Sequence, residues 1–210
     1  MKLETVIWDL DGTLFNTYPA MGRAFQLAAA DLGVDNVPIE YIISMARVSL
    51  DHCVESLSQR YGFVPDNLGD RFTHHYGQIT PFDQPPFSGV KEVCDLILSR
   101  RGLNLIVTHR RAAGTERLLT THEMVSLFAD RVTADDGFAN KPDPQSFLVM
   151  LEKHQLKKNE TLAVGDRDID VLAGQAAGLA ACYFGEQPQG VKPELCVSDF
   201  SELITWLRSN

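Results

Sequence analysis

The chain of 210 residues carries 19 Lys and Arg against 28 Asp and Glu, a formal net charge of −9, with 44% hydrophobic and 22% charged residues. That balance predicts a globular chain of one large domain, or one domain with a smaller insert, and excludes a disordered polyelectrolyte. It also argues against nucleic acid as a partner, because backbone phosphates call for clustered Lys and Arg and no such block occurs.

In chain order, Met1-Lys2-Leu3-Glu4 leads into a strand-like segment and does not read as a signal peptide. No apolar run reaches the roughly 18 residues that span a bilayer, so a cytoplasmic protein with no membrane partner is expected. The short apolar run Thr5–Trp8 stops at Asp9 and predicts a first strand buried on both faces. Helical periodicity follows over Ala20–Leu32, Ile39–Ala46, Leu50–Tyr61 and Leu68–Ile79 with no convincing strand, which reads as a helical insert. The stretch Pro81–Gly89, with three prolines and a glycine, looks like the return linker.

Beyond it strand and helix patterns alternate: helix Val90–Arg101, strand Leu103–Val107 before Thr108, helix Thr115–Glu123, and a fainter strand Asp130–Thr133. Helix Pro144–His154 comes next, with Asp143 as its cap and Pro144 at its first position, leaving Lys141 in the preceding loop. Strand Thr161–Val164 then runs into Gly165-Asp166, and Asp168 is expected to cap a helix over Ile169–Ala177, in which Gly174-x-x-x-Gly178 reads as close packing. A faint strand Leu179–Phe184 and a helix Glu202–Leu207 complete the pattern. Such alternation implies right-handed crossovers and an α/β fold with a doubly wound parallel sheet, a Rossmann-like core over residues 1–15 and 82–210 with a helical bundle over 16–81 inserted. Cys53, Cys94, Cys182 and Cys196 form no C-x-x-C pair and read as reduced, mostly buried thiols.

In an open parallel sheet ligands bind beyond the carboxyl ends of the strands. The residues gathered there would be Asp9 and Asp11, Thr108, and Asp166 with Asp170. Ionised carboxylates ~4 Å apart repel by roughly 4 kcal/mol per pair at an effective dielectric near 20, so a cation belongs among them. A hard divalent ion with oxygen ligands, Mg²⁺, suits this donor set. The Asp-x-Asp-Gly run has a competing reading as an Asx-turn. A calcium loop is excluded, since its sixth and twelfth positions would be Leu14 and Ala20, or Val171 and Ala177 for the second cluster.

With Asp9-Leu-Asp-Gly-Thr-Leu14, Thr108 after Leu-Ile-Val, Lys141-Pro-Asp-Pro144 and Gly165-Asp-Arg-Asp-Ile-Asp170 in this order, the sequence resembles the haloacid dehalogenase superfamily. The likeness spans essentially the whole chain and is to the phosphatase and phosphomutase branch with a helical cap. It implies that Asp9 is a nucleophile forming an aspartyl-phosphate, and that Asp11, on the same side of the chain, is the acid/base group. It implies further that Thr108 and Lys141 cradle the transferring phosphoryl group. Asp9, Asp166 and the main-chain carbonyl of Asp11 would hold Mg²⁺, with Asp170 orienting a metal-bound water. Thr108 as a plain strand terminus and Lys141 as a solvated side chain stay open as alternatives.

For substrate selection the candidates are Arg47, between two helices of the insert, and His109, Arg110 and Arg111 directly after Thr108. Guanidinium forks suit a second anionic group on the substrate, although a solvated role competes for each arginine. His74-His75 reads as a surface pair. The resemblance implies a Mg²⁺-dependent phosphatase acting on a small phosphorylated metabolite, with a phosphomutase of the β-phosphoglucomutase type or a catalytically silent phosphate-binding module as alternatives. A dehalogenase is disfavoured because that chemistry has no use for Asp11. The insert is expected to close over the site as a lid. Oligomeric state is not legible in the sequence.

Overall fold

The computed structural model describes residues 3–186, 188 and 190–209. Along the chain β1 (Thr5–Trp8) precedes the helices α1 (Tyr18–Asp31), α2 (Ile39–Val48), α3 (Leu50–Tyr61) and α4 (Pro65–Gln78). Then come α5 (Val90–Ser99), β2 (Leu103–Val107), α6 (Ala112–Thr121), β3 (Asp130–Val132) and α7 (Gln145–Lys153). The last elements are β4 (Thr161–Gly165), α8 (Asp168–Ala176), β5 (Ala180–Phe184), β6 (Leu195–Val197) and α9 (Phe200–Ser209). The chain divides into two compact units, one of Met1–Phe15 with Pro86–Asn210 and one of Asn16–Pro85. No helix among the described residues is long and apolar enough to cross a membrane.

In the larger unit six strands form one parallel sheet in the order β3-β2-β1-β4-β5-β6. Successive side chains of a strand point to opposite faces, so β1 feeds two cores. Val6 and Trp8 join Val90, Val93, Ile97, Phe200, Leu203 and others on one side, while Ile7 joins Phe147, Met150, Ala173 and Ala177 on the other. Buried Trp8 needs a partner for its indole N–H, and Asn104 on β2 accepts it at 3.0 Å. The Asn104 amide then donates to the carbonyls of Cys94 and Leu127 at 3.0 and 3.2 Å, so the polar group inside this core is satisfied. At Gly174 an added Cβ would lie 2.6 Å from that of Ala163, the close approach of α8 to β4 expected from the glycine spacing.

In the smaller unit α1 packs against α2 and α4, around Phe25, Ile42, Leu57, Leu68 and Phe72. This unit extends to Pro85, past the end of the helical pattern, because buried Gln84 accepts a 2.6 Å bond from the Tyr76 hydroxyl. The chain leaves and re-enters the larger unit at one place: Phe15 and Pro86 form an antiparallel bridge, Phe87 N–H bonds Leu14 O at 3.0 Å, and on the other unit's side Asn16 N–H bonds Pro85 O at 2.8 Å.

Local expectations shift at several points: α4 and α6 each begin three residues earlier than expected, at Pro65 and Ala112. The seventh helix starts at Gln145 with Pro144, not Asp143, in the cap position; Asp143 stands one residue further out and accepts from the Gln145 N–H at 2.9 Å. Asp168 is the first residue of α8, not its cap; Asp170 instead reaches back to the Arg167 N–H at 3.0 Å, the side-chain half of a capping box. The sixth strand, β6, has no counterpart in the sequence reading. Of the cysteines, Cys53, Cys94 and Cys182 are buried and Cys196 is exposed, all free thiols. In the expected surface pair, His74 is exposed while His75 is half-buried and bonded to Asp31 at 2.8 Å.

Candidate active site

The strand order runs outward from β1 in both directions, with β2 and β3 on one side and β4 to β6 on the other. A crevice therefore opens beyond the carboxyl ends of β1 and β4. Asp9 directly follows β1, and its N–H continues the ladder to Val164 O at 2.8 Å. Asp166 follows β4, and Thr108 follows β2 with its N–H on Val132 O at 3.0 Å. After Asp9 the chain folds into a tight turn, with Gly12 N–H on Phe15 O at 2.8 Å and the N–H groups of Leu14 and Phe15 on Leu10 O at 3.0 Å. Gly12 takes a φ of 84°, a conformation that side chains with a Cβ rarely adopt.

Asp9, Asp166 and Asp170 are 4%, 3% and 2% exposed, and each offers an oxygen within 4.8 Å of the others. Asp170 arrives from the first turn of α8, folded back over Gly165. A Cβ on Gly165 would stand 2.2 Å from that of Asp170, so only glycine leaves room. Lys141 enters from the loop before α7 and lies 2.5 Å from both Asp9 Oδ1 and Asp170 Oδ1, while its ammonium also donates to Val107 O at 3.1 Å. Thr13 donates to Asp166 Oδ1 at 3.3 Å.

Burial dominates the electrostatics. It pushes Asp9 up to about 6, with Lys141 opposing and Asp170 adding to the rise. At Lys141 burial works against the charge, but Asp170 and Asp9 outweigh it and hold the amine above the ordinary lysine value. Asp9 Oδ2 is buried without a hydrogen-bond partner among the described residues. Such an oxygen, beside two more carboxylates and a single ammonium, is a fit for a hard cation with oxygen ligands.

The neighbouring loop is built on Thr108, whose Oγ1 accepts from the Arg110 N–H at 3.0 Å. Its hydroxyl hydrogen is thereby directed away from that donor and available to an anion. His109, the next residue, uses its Nε2 to accept the main-chain N–H of Lys141 at 3.0 Å, which ties the two loops together. Burial, then Lys141 and Arg167, lowers His109 to about 4, so the ring is neutral at pH 7 and able to accept.

Asp11 is half-buried, and its carboxylate lies outside the group of Asp9, Asp166 and Asp170. It is held by Arg110 in a fork: Nε is 3.2 and 3.1 Å from the two oxygens, and Nη2 is 2.6 Å from Oδ1. Arg111 is exposed, 3.8 Å from Asp135. Arg47 belongs to the smaller unit, exposed, with its guanidinium 4.6 Å from the centre of the Tyr18 ring. Three parts of this arrangement were not found in the sequence: the Thr13 bond to Asp166, the His109 bond to Lys141, and the Arg110 fork on Asp11. Thr13 lies inside the first motif, so its place was signalled; the other two pairs are separated by 32 and 99 residues and left no local mark.

Comparison with known proteins agrees with this geometry. The family model described as Haloacid dehalogenase-like hydrolase matches residues 6–184. The chain is 30% identical over 219 residues to a phosphoglycolate phosphatase of Photobacterium profundum, covering 96% of this chain and 94% of the relative. Among solved structures, a hydrolase from Streptococcus pneumoniae is 27% identical with a TM-score of 0.68, covering 99% of this chain and 100% of the other. A predicted phosphoglycolate phosphatase from Haemophilus somnus has the same fold, with a TM-score of 0.83 at 20% identity and 98% of both chains covered. Four motifs in order, a buried carboxylate group at the sheet's switch point and a family match over most of the chain lead to one assignment: this protein belongs to the haloacid dehalogenase-like hydrolases.

Proposed function

We propose that this hydrolase is a magnesium-dependent phosphatase that cleaves a small phosphate monoester through an aspartyl-phosphate on Asp9, with the helical unit serving as its cap. The observation that carries the reading is the state of Asp9: one oxygen is engaged by Lys141, the other is buried and bonded to nothing among the described residues. The similarity to phosphoglycolate phosphatases over nearly the full length supports the same class of ester.

In the first step an Asp9 oxygen attacks phosphorus, the bond from phosphorus to the ester oxygen breaks, and Asp11 gives that oxygen its proton. In the second, Asp11 removes a proton from water, the water oxygen attacks phosphorus, and the bond to Asp9 breaks to regenerate the carboxylate. Lys141 and the Thr108 hydroxyl hold the phosphoryl oxygens, because phosphoryl transfer asks chiefly for positioning and charge neutralisation. Asp170 fixes the ammonium of Lys141 against Asp9, a role its 2.5 Å approach supports more directly than the orienting of a water. Asp9 and Asp166, with the main-chain carbonyl of Asp11, would hold Mg²⁺, which supplies further neutralisation of the phosphoryl charge.

The test is Asp9→Asn assayed with Mg²⁺ against phosphorylated metabolites, beside crystals of the wild type soaked in beryllium trifluoride. The expected outcome is a loss of turnover by about 10³-fold or more with beryllium attached to Asp9. Retained metal-dependent turnover, or an adduct on another residue, would refute the assignment.

A further inference from the structure

Arg110 occupies an unusual place, clamping the carboxylate that the proposed mechanism requires to move protons. Its guanidinium grips Asp11 through Nε and Nη2, and the pair is partly withdrawn from water, the side chains being 12% and 22% exposed. Charge-assisted forks of this kind are among the stronger polar contacts, and planar geometry restricts what can replace them. A carboxylate or a phosphate offers the same pair of acceptor oxygens; a hydroxyl, an amide or water does not.

The backbone around Arg110 is pinned. Its N–H is on Thr108 Oγ1 at 3.0 Å and its carbonyl accepts from Ala134 N–H at 3.1 Å. Along its stem the aliphatic carbons pass Gly114, where an added Cβ would sit 3.4 Å from Arg110 Cγ and Cδ. With the backbone held in this way, any change of partner by the guanidinium falls to its side-chain torsions. It also lies on the same loop as the hydroxyl assigned to the phosphoryl group, so an anion carried elsewhere on a small substrate arrives within its neighbourhood.

We propose that Arg110 is the specificity-determining residue and works by exchange. A substrate whose alcohol portion carries its own carboxylate or phosphate takes the guanidinium fork, and Asp11 is released to swing toward the ester oxygen. A substrate with an uncharged alcohol portion leaves Asp11 clamped, so it binds but turns over slowly. Discrimination is then expressed mainly in kcat, whereas a simple anion-binding arginine would express it in KM. This inference rests on the phosphatase reading of the site.

The experiment compares an O-phosphorylated 2-hydroxycarboxylate with its primary amide, nearly equal in shape and different in charge, in the wild type, Arg110→Lys and Arg110→Met. In the wild type kcat for the acid is expected to exceed that for the amide by about 100-fold, the lower end of what a positioned general acid contributes. The ratio should collapse to within about threefold in Arg110→Met and take an intermediate value in Arg110→Lys, which keeps the charge but not the fork. A wild-type ratio near one, a difference confined to KM, or a ratio preserved in Arg110→Lys overturns the exchange. If Arg110→Met does not fold, the lysine variant and the wild-type pair still decide it. Failure of the wild type to hydrolyse any ester would remove the phosphatase reading itself, a result distinct from turnover without discrimination.

Discussion

Asp9 is held where a carboxylate is least comfortable. Burial lifts it from 3.8 to about 6, so between about pH 4 and 6 the native protein keeps a proton that the unfolded chain has released. The stability that goes with that proton is complete below pH ~4 and is lost as the pH rises through about 6. Asp9→Asn has no charge to bury. In metal-free buffer with a chelator, its melting temperature is expected to match the wild type near pH 4 and to exceed it by a few degrees above pH ~6, measured by calorimetry. Added Mg²⁺ should then raise the wild type more than the variant. A difference that stays flat across this range would contradict the account. Residues such as Asp9 and Asp166 were legible because each ends an apolar run that can only be a buried strand. Arg110 was visible as a candidate for a substrate anion but its pairing was not, since Asp11 is brought to it by the sheet and by nothing in the neighbouring sequence.

At the level of elements, the bond network of Asn104 ties β2 to β1, to the middle of α5 at Cys94 and to Leu127. Replacing it by leucine keeps the branching of the side chain, strands the Trp8 indole N–H and removes the donor to the Leu127 carbonyl, while the Cys94 carbonyl keeps its place inside α5. Unsatisfied buried groups cost about 1–3 kcal/mol each, partly relieved by relaxation, so Asn104→Leu is expected to lose about 3 kcal/mol in urea unfolding. A loss under ~1 kcal/mol would mean that the three contacts are incidental. The strands β1, β2 and β4 were readable because each is a short, nearly unbroken apolar run; Leu195–Val197 was not. Only Val197 of its three residues is buried, so its alternation carries no signal that a loop would lack. The start of α7 moved by one residue for a related reason: Pro144 takes the cap position while Asp143 accepts the Gln145 N–H from one residue further out, and sequence spacing alone allows either neighbour as the first helical position.

For the whole molecule, the alternation of strands and helices carried the doubly wound architecture, while the centrality of β1 depends on pairings between segments roughly 100–160 residues apart that no local pattern encodes. The helical unit was legible as an interruption of that alternation, and its far edge was not, because the Tyr76 bond to Gln84 draws the proline-rich stretch into it. Since Phe15 and Pro86 are bridged, excising residues 16–85 and joining the flanks with a short glycine linker should leave a larger unit that unfolds cooperatively. Calorimetry and far-ultraviolet dichroism read the outcome, and a molten or aggregated product would show that the two units depend on each other for folding.

That single doorway at Phe15 and Pro86 has an evolutionary side. With its ends already fastened, a segment inserted there imposes a chain-entropy penalty that grows only as the logarithm of its length, about 0.6 kcal/mol for each doubling. Lineages could therefore exchange one inserted module for another of different size while the aspartates beyond β1 and β4 stayed in register, inheriting a reaction and renewing its selectivity as separate events.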